Sequence, residues 1–326
     1  MNDNVSSALT VAKSPRPVME ISAPLNFIRR QDKKPVFHSS ALTGGKPKYF
    51  YDTEAHTVTI SDMREIAEDL SVDREGFELL HHKTAVKDLY DNDAVEQAYF
   101  PEIEALLRRK FGADQVVIFD VTRRSDDATG AKNPDGLRGP ASQLHVDYTA
   151  KSGPQRVNDI LGQEETARLT AAGARIIQIN VWRPIHGPVE RSPLVLADAS
   201  SARQEDLIAT DQIFPDRVGE IYNVAHAPSQ RWYYAPRMTA NEVLLIKGWD
   251  SLDDGRARFT PHGAFHAPET RENAPARESI EVRTLVIIEK HREPGRETEF
   301  LRPPEAARIP LHTTTQTQIA KEKSHE

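Results

Sequence analysis

Arg175-Ile176-Ile177-Gln178-Ile179-Asn180-Val181-Trp182-Arg183-Pro184 is the stretch whose pattern decides the fold. Ile177, Ile179 and Val181 occupy one parity, and Gln178, Asn180 and Trp182 the other. Successive side chains of a strand point to opposite faces, so this is a strand with one apolar, buried face. The other face turns Asn180 and Trp182 either to a cavity or to solvent, and the pattern alone leaves both open.

Working outward, 175–289 reads as a series of short strands at 176–182, 194–197, 220–225, 231–235, 242–247, 256–260 and 279–289, with Gly and Pro between them. Such punctuation predicts an antiparallel sandwich or barrel. Upstream, the spacing of Val95, Tyr99, Ile103, Leu106 and Leu107 predicts a helix over 92–111 that ends at Gly112. Residues 157–172 and 63–70 are further helix candidates; 58–60 and 115–121 read as strands, and 124–139 as a polar loop. The expected class is mainly β with flanking helices (α+β). No phosphate loop, dinucleotide fingerprint or internal repeat occurs.

With 326 residues, 38% of them hydrophobic, the chain can bury a substantial core. We expect polar tails at 1–20 and 305–326 around one domain over 21–304, with a helical and stranded part at 21–140 and the β core at 141–290. The net charge of -7, from 49 acidic and 42 basic residues, shows no positive excess for nucleic acid or an anionic membrane. A small-molecule partner is expected; self-association is not readable. Zero cysteines remove thiolate nucleophiles and Cys-ligated metals, so any metal must use imidazole and oxygen ligands. The first residues lack the apolar core of a signal peptide and no run is long enough to span a bilayer, so the expected location is the cytoplasm.

The chemistry concentrates in Gln143-Leu144-His145-Val146-Asp147-Tyr148-Thr149. On an extended strand His145 and Asp147 face the same way, offering two of the three ligands of a facial triad. Two histidines and a carboxylate with open positions suit non-haem Fe(II) working with 2-oxoglutarate and O2. The third ligand must return from a distant strand. His262, 115 residues after Asp147, is preferred to His266, because it follows a strand-like run while His266 approaches Pro268. Arg277 and Ser279 share a parity at the start of the last strand, where a guanidinium fork and a hydroxyl would grip the distal carboxylate of 2-oxoglutarate. Arg283, of the same parity, is the alternative clamp. Asn180, Trp182, Tyr148, Trp232, Tyr234 and Arg258 are candidates for the substrate pocket. For the aromatic pair the competing reading is plain core, and for Arg258, as for Arg191, Arg256 and Lys247, a solvated or ion-paired charge.

These residues together resemble a known group, the hydroxylase/desaturase family that includes gibberellin-desaturase-like, aspergillic-acid-hydroxylase-like and cephamycin-methoxylation-associated proteins. The likeness is carried by His145-Val-Asp147-Tyr148, Asn180-Val-Trp-Arg-Pro184 with Gly187-Pro188-Val189, Trp232-Tyr-Tyr234, Lys247 with Trp249-Asp250-Ser251, Phe259-Thr-Pro-His262 and Arg277-Glu-Ser279-Ile-Glu-Val-Arg283. It extends over about residues 25–290. Upstream, Asp62-Met-Arg64, Gly76-Phe77 and Phe119-Asp120-Val-Thr-Arg123 are similar as well. The resemblance implies a double-stranded β-helix (jelly-roll, cupin-like) core and an Fe(II)/2-oxoglutarate-type dioxygenase that hydroxylates or desaturates a small molecule in secondary metabolism. It also implies iron on His145, Asp147 and His262, with Arg277, joined or replaced by Arg283, as the cosubstrate clamp. The rivals are an iron oxygenase of the same fold that does not use 2-oxoglutarate, and a non-catalytic β-barrel that only binds small molecules.

Overall fold

A computed structural model of the chain describes residues 19–44, 47–133 and 136–290. The expected C-terminal tail, and all but the last two residues of the N-terminal one, lie outside the described residues. The strands are β1 Glu20–Ile28, β2 Val36–His38, β3 Lys48–Tyr49, β4 Thr53–Asp62, β5 Phe77–His81, β6 Gln115–Ser125, β7 Ala131–Asn133, β8 Gly136–Arg138, β9 His145–Val146, β10 Arg175–Pro184, β11 Leu194–Ala197, β12 Leu207–Ile213, β13 Val218–Val224, β14 Trp232–Tyr234, β15 Glu242–Asp250, β16 His262–Ala264 and β17 Glu278–Ile288. They form a ten-stranded sheet in the order β1-β4-β14-β11-β16-β9-β13-β12-β2-β3, a five-stranded sheet in the order β5-β15-β10-β17-β6, and the hairpin β7-β8. The mainly β jelly-roll expectation holds, and both large sheets draw strands from the two halves of the chain.

β10 lies at the centre of the five-stranded sheet, between β15 and β17. Its odd-numbered side chains Ile177, Ile179 and Val181 pack with Val121, Val282 and Val286 against Val95, Tyr99, Ile103 and Leu107. Those last four stud the helical segment 92–111, whose final stretch Phe100–Phe111 is capped by Gly112 at φ 61°. Gly adopts this left-handed conformation without the Cβ penalty, so the helix stops where the sequence predicts. The even-numbered residues Gln178, Asn180 and Trp182 are buried too, on the opposite face. That face therefore meets the protein interior, not solvent, and Trp182 alone of the three lines a cavity.

Several expectations need correction. The helix at 157–172 is two helices, Ser152–Leu161 and Gln163–Ala171, broken at Gly162 with φ 82°. The segment 63–70 holds only a single turn, Met63–Ile66. The run 256–260 is not a strand: the Ala257 and Thr260 amides donate to the Asp73 and Lys247 carbonyls, leaving no ladder to a neighbouring strand. The polar region after residue 124 contains the end of β6 and the hairpin β7-β8.

Candidate metal centre

β9 is only two residues long, but it runs between β13 and β16, so His145 stands opposite Asn223 on one side and His262 on the other. Directly paired residues share a face of the sheet, and the two imidazoles meet with ring centroids 4.6 Å apart. The approach to β9 is tied down by β1: the Leu144 amide donates to the Asn26 carbonyl and the Asn26 side chain donates to Gln143 Oε1 at 3.0 Å. Two residues past His145, Asp147 turns its carboxylate to the same point, 3.7 Å from His145 Nε2. One ligand atom from each of His145, Asp147 and His262 falls within 4.8 Å of the others.

Both imidazoles are oriented by their own backbone. His145 Nδ1 lies 2.8 Å from the Gln143 carbonyl and His262 Nδ1 lies 3.0 Å from the Thr260 carbonyl. A carbonyl only accepts, so each Nδ1 carries the proton and each Nε2 keeps its lone pair free for a metal. Burial, helped by the neighbouring His262, pulls His145 down to about 4 against the attraction of Asp147, so it is neutral at pH 7. Burial alone would raise Asp147. The charge of Arg283, the two imidazoles beside the carboxylate and the Asn180 hydrogen bond outweigh it and hold the carboxyl well below the usual range.

The carboxylate is positioned through a chain that starts at a β-bulge. The register of β10 against β15 shifts between Gln178 and Ile179, leaving Gly248 beside Gln178. A Cβ on Gly248 would come within 1.7 Å of Gln178 Oε1, so only glycine admits this side chain. Gln178 then donates to Asn180 Oδ1 at 2.5 Å, and Asn180 Nδ2 donates to Asp147 Oδ2. From the other side Arg283 Nε approaches Asp147 Oδ2 at 3.6 Å while its guanidinium pairs with Asp120 at 2.6 Å and Glu281 at 2.5 Å.

A small cavity opens at the two imidazoles and is lined further by Trp182, Leu194, Arg124, Arg277, Glu281 and Arg283. Arg277 is 3% exposed. Its Nη1 donates to the Ser192 carbonyl at 2.8 Å, its guanidinium lies 5.8 Å from the Trp182 ring centroid, and its Nε has no hydrogen-bond partner. Burial, with Arg124 alongside, pulls its pKa down to about 10. Ser279 is buried in register with Arg124 but does not line the cavity.

The remaining expected residues lie elsewhere. His266 is exposed, two residues past the end of β16, and is absent from the cluster. Trp232 and Tyr234 pair with Ala197 and Val195, whereas Tyr233 pairs with Leu196, which is opposite His262. The aromatic facing the site's side of the sheet is thus Tyr233. Trp232 instead packs edge-on to Phe27 and Tyr234 edge-on to Phe265, both as core. Arg258 is paired with Asp253 at 2.6 Å and held over Phe259, away from the cavity. Arg191, Arg256 and Lys247 are likewise committed, to Asp126, to Asp254 and Asp73, and to Asp73 and Asp250. Tyr148 packs beside Gly248 and is pushed up to about 12 by burial, but does not line the cavity. Arg124 and Glu281 are cavity residues that the sequence reading misses.

A family model described as an oxidoreductase/YMDC permease-like domain matches residues 25–287. No helix among the described residues is long and apolar enough to cross a membrane. The hydroxylase/desaturase efuI of Hormonema carpetanum is 32% identical over 82% of this chain and 95% of its own length. The alpha-ketoglutarate-dependent dioxygenase phiK of a fungal species is 32% identical over 71% of this chain and 84% of its own. Among solved structures, the iron and alpha-ketoglutarate-dependent endoperoxidase NvfI superposes with a TM-score of 0.73 at 26% identity, covering 83% of this chain and 99% of that one.

Proposed function

This chain belongs to the hydroxylase/desaturase family of Fe(II)/2-oxoglutarate-type oxygenases, and from that premise we propose that His145, Asp147 and His262 hold the iron. It is an Fe(II)/2-oxoglutarate-dependent dioxygenase acting on a small molecule. The observation that carries the assignment of ligands is the convergence of two Nδ1-anchored imidazoles and one ionised carboxylate within 4.8 Å at the mouth of a cavity. Two histidines and a carboxylate on one side of an ion leave its other positions open, which suits Fe(II) oxygen chemistry. The buried, unpartnered Nε of Arg277 in the same cavity suits a ligand that brings its own carboxylate.

When bound, the iron, 2-oxoglutarate and O2 supply the oxidising power, with 2-oxoglutarate leaving as succinate and CO2 as C–H bonds of the substrate are hydroxylated or desaturated. The protein's own share is orientation. The Gln143 and Thr260 carbonyls aim the imidazoles, Asn180 and Arg283 aim the carboxylate, and Trp182 and Leu194 supply the apolar part of the cavity wall. Arg277 binds the distal carboxylate; Arg283, matched to three carboxylates, serves Asp147 instead.

The same reading takes 21–304 as one oxygenase unit working in the cytoplasm on a secondary metabolite. Metal analysis of protein purified without oxygen, followed by O2 uptake with and without 2-oxoglutarate, tests the function. The expected result is one iron per chain and uptake that requires 2-oxoglutarate. Full iron content in His145→Ala would remove that ligand from the set, and uptake indifferent to 2-oxoglutarate would remove the cosubstrate.

A further inference from the structure

Three guanidinium groups face the cavity, and they are not equivalent. Arg283 is neutralised by Asp120, Glu281 and Asp147. Arg277 and Arg124 make no ion pair within 4 Å among the described residues; Glu281, the carboxylate of the cavity wall, is committed to Arg283. Each of the two is instead held by a backbone carbonyl: Arg277 Nη1 on Ser192 at 2.8 Å, Arg124 Nη1 on Gly139 at 3.0 Å. A carbonyl fixes where a guanidinium points without cancelling its charge. Placement reinforces the contrast. Arg124 is opposite Ser279 in the β6-β17 register, and Ser279 is two residues from Arg277, so adjoining strands bring both cations to one side of one cavity. A buried cation such as Arg277 normally has a partner, and a second, half-buried cation, Arg124, brought beside it without one adds to the cost. The missing partner is an anion from outside, and Arg277 Nε, buried and unpartnered, is a donor waiting for it.

We propose that Arg124 and Arg277 together grip the carboxylate of 2-oxoglutarate remote from its keto acid, one guanidinium from β6 and the other from the start of β17. This rests on the cosubstrate reading given above and assigns Arg124 a binding role within it. The pair of donors would make the pocket selective for 2-oxo acids with a second carboxylate over those with one.

The test is calorimetric titration, under nitrogen, of the full chain loaded with Mn(II), using 2-oxoglutarate and 2-oxobutanoate as probes. Both carry the keto-acid end; only the first has the distal carboxylate. Arg124→Gln should weaken 2-oxoglutarate by about 10- to 100-fold, leave 2-oxobutanoate within about twofold, and be partly rescued in Arg124→Lys. Unchanged 2-oxoglutarate affinity in Arg124→Gln, with Arg277→Gln still impaired, would overturn the role of Arg124 and spare the cosubstrate reading. Equal weakening of both probes would also overturn it, pointing to a general disturbance of the metal site. Failure of the unsubstituted protein to prefer 2-oxoglutarate would sink both proposals at once.

Discussion

The two faces of β10 are built from alternate residues of one strand, yet they are stabilised on different terms. On the helix side, Ile177, Ile179 and Val181 meet Val282, Val286 and the 92–111 stripe, and each contact is one of many. Apolar packing tolerates exchange of shape as long as volume is kept. On the cavity side, Gln178, Asn180, Asp147, Arg283 and Glu281 form a relay in which most links have one partner of the right polarity. A lost link there leaves a buried polar group unpaired, which costs more than the bond contributed. The helix side should therefore respond to mutation in stability, and the cavity side in metal affinity and turnover.

The largest effect is expected at the end of the relay. Asp147→Ala removes the only anionic member of the cluster and should lower iron affinity by more than the about 10- to 100-fold typical of losing a supporting partner. Iron content after anaerobic reconstitution and succinate formation would show this together. Retention of one iron per chain would erase the distinction between the two faces. Next in size is a change on the other face. Ile179 is completely buried beneath the helical layer, and Ile179→Ala should cost about 2–5 kcal/mol in denaturant unfolding. Iron affinity of the folded protein should stay within about twofold. A loss of iron comparable with that of Asp147→Ala would mean that the faces are coupled through the strand.

How much of this was legible in the sequence follows from the same contrast. Alternation revealed β10 because one parity is uniformly apolar, and His145 and Asp147 were visible because their spacing of two matches the strand period. The end of β6 was not visible. Arg123, Arg124 and Ser125 are polar, and a strand that carries polar groups into a cavity has the composition of a loop. Arg124 was missed for that reason. In Trp232-Tyr233-Tyr234 three aromatics in a row offer no parity, so a shift of one residue exchanged the core side for the site side. Residues 256–260 alternate as a strand does, but Arg256 and Arg258 are spent on Asp73, Asp254 and Asp253. Pairing with distant acids is not encoded in local periodicity.

Gly248 joins sequence to site at one remove, and its substitution sharpens the comparison at intermediate size. Gly248→Ala places a methyl where Gln178 Oε1 stands, so Gln178 must release Asn180, and Asn180 loses the bond that orients it on Asp147. Iron affinity should fall by about tenfold, at the lower end of outer-partner effects, because Arg283 still supports the carboxylate. Gly248→Ala combined with Gln178→Ala, which vacates the space, tests the route. If the pair regains the iron affinity of the unsubstituted protein, the clash and its distortion of the bulge, and not the lost relay, are responsible; an equal loss in both variants is the outcome the relay predicts.

The smallest effect should come from His266, the rival that the sequence ranks behind His262. Four residues along a strand preserve facing only while the strand continues, and β16 stops at Ala264. There the Phe265 amide turns to the Pro193 carbonyl, its ring packs against Tyr234, and His266 emerges into solvent. His266→Ala should change stability by less than about 0.5 kcal/mol and leave iron content and 2-oxoglutarate-dependent O2 uptake at the level of the unsubstituted protein. His262→Ala, measured alongside, should lose iron, because His262 lies opposite His145 and its Nδ1 proton is already committed to Thr260. The opposite pattern, iron lost with His266 and kept without His262, would require residues 262–266 to refold on metal binding so that the strand extends past Phe265. That rearrangement would have to break the Phe265 amide bond and expose a buried ring, a cost that weighs against it.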